Sequence, residues 1–201
     1  MSTEYYTPAL SRVMRIASDS IQQQYTSNKG TVVLDSHLEL WMPVARIAPA
    51  KKAFLNWYRV TYNPPGPDSE ILLWLKLTDE NPPLYIAGLL SEFASVIDEI
   101  VAVANTLSLA ASILEKYGWI QGKSANPDRG FCLVGAIDHA LRSTYKIQTD
   151  ADALWGASLS VLRDKLQTSL LVEWNDTPGR TGAEVIQLLK ETAAGVRIIN
   201  P

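Results

Sequence analysis

Leu10, Val13, Met14, Ala17 and Ile21 recur at three- and four-residue spacing, which predicts an amphipathic helix. Pro8 after Thr7 suits the start of that helix, because a first-turn proline lacks only an N–H that would have no intrahelical partner. Asn28-Lys29-Gly30 reads as its exit. Thr31 to Leu34 is β-branched and apolar, and Leu38 to Met42 continues it or pairs with it. Phe54 to Tyr62 (FLNWYRVTY) and Ile71 to Leu77 (ILLWLKL) are aromatic-rich and predict strands. The proline-rich segment Asn63 to Asp68 between them must be a loop. So short a connection cannot make a parallel crossover, and the simplest pairing is antiparallel.

Beyond residue 83 the pattern is helical. Leu84, Leu89, Phe93, Val96, Ile97 and Ile100 form one stripe. Asn105-Thr106 can stop that helix and cap another, with Leu109, Ile113, Leu114 and Tyr117 as its inner face and Gly118 as its terminator. A further helix is predicted to begin near Asp128–Phe131, with Val134, Ile137, Leu141 and Tyr145 facing inward. Asp150 can cap Ala151 to Leu166. Thr181-Gly182-Ala183-Glu184 matches a capping box, followed by the apolar face Val185, Leu188 and Leu189. The expected fold is α+β: a small antiparallel sheet plus helix in the N-terminal half and a mainly helical C-terminal half. Residues 1–80 read as a mixed α/β region and 81–201 as a helical region. The two are separate domains or parts of one compact body.

Composition narrows the chemistry. The chain has 201 residues, a formal charge of −3, one Cys (Cys132) and two His (His37, His139). A chain of this length buries roughly 70 % of its unfolded surface, so it needs neither disulfide nor metal to fold. A cysteine-based zinc site and an intrachain disulfide framework are excluded. The acidic balance speaks against nucleic-acid binding, which needs a clustered basic footprint. The N-terminus carries no signal-peptide pattern. The apolar stretch Leu84 to Leu114 is interrupted by Glu92, Asp98 and Glu99, so it reads as a buried helix rather than a membrane span. The expected location is cytoplasmic. No phosphate-binding glycine loop, G-x-S-x-G or H-E-x-x-H motif occurs. No cofactor is expected.

Two segments stand apart from the periodic background. Gly118-Trp119-Ile120-Gln121-Gly122 is followed ten residues on by Cys132-Leu133-Val134-Gly135-Ala136. Trp174-Asn175-Asp176-Thr177-Pro178-Gly179-Arg180-Thr181 runs into Glu184-Val185. Together they resemble the domain-of-unknown-function family 6197 of bacterial and phage proteins, over about residues 106–195. The resemblance implies a small helical domain of bacterial or phage origin, and no activity.

Each motif has a structural and a functional reading. Asn175 and Asp176 can make Asx-turns, Pro178-Gly179 can turn the chain, and Thr181 can cap, with Trp174 anchoring the loop. Alternatively, Asp176, Arg180 and the free N–H groups of the helix start form an anion site. Trp119 can pack on the core, with Gly118 and Gly122 supplying positive φ. Alternatively, Trp119-Ile120-Gln121-Gly122 is a binding loop, with Gln121 as an amide reader. Cys132 lies near a helix start, where a dipole favours a thiolate. His139, seven residues along, is about 10 Å up the axis, so a catalytic base would have to be His37. Otherwise Cys132 is structural. Asp138 and Arg142 form an i,i+4 pair. Asp35, His37 and Glu39 share a strand face, but no metal site is expected there.

The leading expectation is a non-catalytic protein-interaction or accessory protein. Six Trp and eight Tyr exceed what a modest core needs, and aromatic residues are enriched at interfaces. A protein partner is expected, and a second copy could pair on a sheet edge. No membrane partner is expected. The alternatives are a hydrolase or transferase using Cys132 with His37, and a small anionic-ligand or nucleotide binder at the Asn175–Thr181 loop with Gln121.

Overall fold

The computed structural model describes residues 4–5, 8–28, 44–62, 83–126, 129–196 and 198–199. The chain forms two compact units, Met1–Asp98 with Ile199–Pro201, and Glu99–Ile198. In chain order the elements are β1 (Glu4–Tyr5), α1 (Pro8–Asn28), α2 (Val44–Tyr62), α3 (Pro83–Tyr117), β2 (Ala125–Asn126) and β3 (Gly130–Phe131). After them come α4 (Leu133–Thr144), α5 (Gln148–Leu166), α6 (Leu171–Asn175), α7 (Gly182–Val196) and β4 (Ile198–Ile199). The division between the units falls within α3.

In the first unit α1 begins at Pro8 and ends at Asn28, as predicted. Met14, Ala17 and Ile21 are fully buried. The serines of the same helix hold it against α3: Ser11 donates to the Ala94 carbonyl at 3.2 Å and Ser18 to the Ala87 carbonyl at 2.8 Å. Arg15 adds an exposed ion pair with Asp98 at 2.6 Å.

The segment Phe54–Tyr62 is helix, not strand, which removes the expected antiparallel pair. The reason lies in spacing. Ala50, Ala53, Phe54, Trp57 and Tyr58 are buried, and only a 3.6-residue period puts those five on one side. That stripe outweighs the strand preference of its aromatic residues. Phe54 packs edge-on against Phe93, with ring centroids 5.6 Å apart. Tyr62 donates to Glu92 Oε2 at 2.6 Å, and this bond, aided by desolvation, pushes its phenol up to about 12. The predicted strands at 31–34, 38–42 and 71–77, the loop 63–68, and the trio Asp35, His37 and Glu39 lie outside the described residues.

The helix α3 runs through Asn105-Thr106 without a break. Asn105 points outward, where an asparagine costs only about 0.7 kcal/mol relative to alanine. Thr106 is buried, and Ala104, Leu107, Ala110 and Ala111 carry the core face past it. Leu109 and Tyr117, expected inside, are exposed. Gly118, at φ +92°, then ends the helix by donating to the Leu114 carbonyl.

The core of the second unit gathers Leu107, Leu114, Leu133, Ile137, Leu162, Val185 and Leu189. Within it α4 packs on α5 and α6, and α5 packs on α6 and α7. Two starts differ from expectation. The helix α4 begins at Leu133 rather than near Asp128–Phe131, because residues 130–131 form β3, antiparallel to β2. The helix α5 begins at Gln148, so Asp150 lies inside its first turn rather than capping it. The short α6 has no counterpart in the periodicity. The chain is therefore mostly helical, and its described antiparallel sheet is the small β2–β3 hairpin of the second unit. Among the described residues no helix is long and apolar enough to cross a membrane, and no group of three metal-ligating side chains assembles.

Candidate functional site

The two motifs meet through Asn175. Its side chain is almost wholly buried, at 1 % exposure. Its Oδ1 accepts from Trp119 Nε1 at 2.8 Å and from the backbone N–H of Leu133, the first residue of α4, at 3.0 Å. Its Nδ2 donates to the Ile120 carbonyl at 3.3 Å and to Asp176 Oδ1 at 2.7 Å. A primary amide offers two acceptor and two donor positions, and all four are filled. One side chain thus ties the Gly118–Gly122 loop, the start of α4 and the end of α6.

Residues around it complete the clasp. Gln121 Nε2 donates to the carbonyls of Asn175 and Thr177 at 3.0 and 3.1 Å. The Gly122 N–H donates to Asp176 Oδ1 at 3.0 Å. Gly122 has φ +76°, so Gly118 and Gly122 both supply the positive φ expected of them. Trp119 also lies against Gly182 at the start of α7, where an added Cβ would stand 3.1 Å from the tryptophan's own Cβ.

The Trp174–Thr181 segment closes on itself. The Arg180 guanidinium lies over the Trp174 ring at 3.9 Å, its Nε donates to the Trp174 carbonyl at 3.2 Å, and its Nη1 is 3.6 Å from Glu184. The capping box forms as predicted. Glu184 Oε2 accepts from the Thr181 N–H at 2.7 Å and from its hydroxyl at 2.9 Å, and Thr181 Oγ1 accepts from the Glu184 N–H at 3.3 Å. The backbone and hydroxyl hydrogen bonds from Thr181, with the Arg180 charge, hold the Glu184 carboxyl below its ordinary range.

Cys132 is buried and occupies the N-cap of α4, with Sγ accepting from the Gly135 N–H at 3.3 Å. Gly135 is dictated by close approach: a Cβ there would lie 1.7 Å from the Ser124 carbonyl oxygen, the same oxygen that accepts from the Cys132 N–H. The cysteine and glycine of the first motif thus form one helix-start device. The His139 ring lies tilted against Phe131, with 4.8 Å between centroids. His37 lies outside the described residues. The Asp138–Arg142 pair forms as expected, at 2.8 Å.

One concavity escaped the sequence reading. Tyr117, Ala125, Asn126, Gly130, Phe131 and His139 line an open recess of about 340 Å³. Tyr117 meets the Phe131 and His139 rings nearly at right angles, at 6.1 and 6.4 Å. The available signal was an aromatic residue immediately beside a turn glycine on both sides: Tyr117 before Gly118 and Phe131 after Gly130.

Residues 99–195 match the model of a family of unknown function, DUF6197, a span that coincides with the second compact unit. No curated protein and no solved structure matches the chain. The Trp119–Gly122, Cys132–Ala136 and Trp174–Val185 motifs all fall inside the matched span, and residues 99–195 belong to this family.

Proposed function

We propose that the chain is a non-catalytic protein-interaction or accessory protein, cytoplasmic and of bacterial or phage origin. The observation that carries this reading is how its most distinctive polar residues are used. Asn175, Asp176, Gln121, Arg180 and Thr181 direct their hydrogen bonds at one another, at the Trp119 and Glu184 side chains and at nearby backbone. A catalytic or ligand-reading group needs a hydrogen-bonding position aimed at the incoming molecule. Here the motif side chains serve as scaffold, and they hold a small helical domain whose surface is left for recognition. Cys132 fits the same role, as a buried cap.

The test has two parts. In the native host, the full chain is expected to elute with a stoichiometric protein partner on size-exclusion chromatography with light scattering. Elution alone at the mass of one chain, at native abundance, overturns the reading. In parallel, iodoacetamide at neutral pH is expected to modify Cys132 slowly in the folded protein and quickly in denaturant. Fast, pH-dependent alkylation of the folded chain, with a turnover lost in Cys132→Ala, favours the cysteine hydrolase or transferase instead.

A further inference from the structure

The recess formed by Tyr117, Phe131 and His139 has the features of an anchor pocket. Its three rings come from different elements: Tyr117 ends α3, Phe131 lies on β3 and His139 on α4. Two of the three, Tyr117 and His139, are exposed. Aromatic rings around an open concavity favour an aromatic guest, which gains edge-to-face or offset contacts beyond simple burial. A volume of about 340 Å³ lies at the lower end for ligand sites and leaves room for a single large side chain.

Charge selects among aromatic guests. Lys116, Lys123 and Arg129 each lie within two residues of a lining residue, and all three are exposed. None of them forms an ion pair with a described residue. Lys116 Nζ lies over the Tyr117 ring at 4.7 Å. The acidic neighbours are engaged: Glu115 with Lys190 and Asp138 with Arg142. Asp128 lies outside the described residues and leaves the count of basic groups ahead. A cationic guest would meet like charge, whereas an anionic one is attracted.

We infer that this recess docks an aromatic side chain presented by an acidic segment of a partner protein. The inference rests on the interaction reading above and adds to it the place and the chemistry of the partner.

The test is an amide and aromatic NMR titration of the full chain with three blocked pentapeptides. One carries a central tryptophan flanked by aspartates, one the same tryptophan flanked by lysines, and one a central alanine flanked by aspartates. The acidic tryptophan peptide is expected to shift Gly130, Phe131 and His139 and to weaken as salt rises. The other two are expected to bind about tenfold more weakly or not at all. His139→Ala and Tyr117→Ala, both at exposed positions, are expected to lower the affinity up to roughly tenfold while the melting temperature holds. Equal shifts from the acidic and basic tryptophan peptides overturn the proposal, as do shifts elsewhere on the surface. Adenosine monophosphate shifting the recess when no peptide does also overturns it, in favour of a nucleotide. A stoichiometric partner recovered from the host together with a silent recess removes this inference and leaves the interaction reading standing.

Discussion

Asn175 is the residue on which the second unit turns. Replacing it by alanine leaves the part-buried Trp119 indole N–H and the buried Leu133 N–H without their acceptor. Unsatisfied buried donors cost about 1–3 kcal/mol each, so Asn175→Ala is expected to lower stability by roughly 3–5 kcal/mol in denaturant unfolding. Asn175→Asp keeps the Oδ1 acceptor but sets a carboxylate against the Ile120 carbonyl and Asp176. That variant should be least stable above the pKa of the new carboxyl and recover as pH falls. A stability equal to that of the unmodified chain in either variant would show that the clasp is ornamental. By contrast, Ser158 Oγ is buried with no partner among the described residues. The fold tolerates one orphan hydroxyl in a helix interior, yet concentrates satisfied polar contacts at the motifs.

At the scale of elements, the start of α7 carries a pH-dependent stability. The carboxyl of Glu184 is held below its ordinary value by the Thr181 hydrogen bonds. A depressed carboxylate contributes stability that is fully present above its unfolded value and disappears as pH falls through the folded one. An NMR titration should find the Glu184 midpoint under the ordinary glutamate value near 4.5. In Thr181→Ala that midpoint should rise, with about 1 kcal/mol of stability lost at neutral pH. A midpoint unmoved by Thr181→Ala would mean that the box does not hold in solution. This box was legible in the sequence because both partners lie within one turn and their chemistry is local. So were the start of α1 at Pro8 and the end of α3 at Gly118. The helix α2 was misread because Phe54, Trp57 and Tyr58 favour strands one by one, and only their joint burial reveals the period. Asn105 was misread as a break because its outward placement depends on the tertiary surface. The motif residues stood out through their resemblance to a known family, but their mutual bonding could not be read from the sequence. Trp119 and Asn175 stand 56 positions apart, and their meeting depends on how α4, α5 and α6 pack.

For the whole molecule, the decisive fact is that the family span and one compact unit coincide. The two motifs of this chain inside that span mark how the unit closes. The first ends within the first turn of α4 and the second begins after α5, and each contributes groups that hydrogen-bond the other. A backbone cut in the turn after α5, where Gln167 and Ser169 are exposed, would sever the chain without touching any of those bonds. The helices of the C-terminal piece would be α6 and α7, of 5 and 15 residues, lengths at which isolated helices are marginal. Mixed in equal amounts, the pieces 1–167 and 168–201 should regain helical circular dichroism beyond the sum of the two alone; a purely additive spectrum would refute this. The long-range knot thus makes the molecule a natural candidate for a split reporter, in which two silent fragments recognise each other through an interface the protein already carries inside itself.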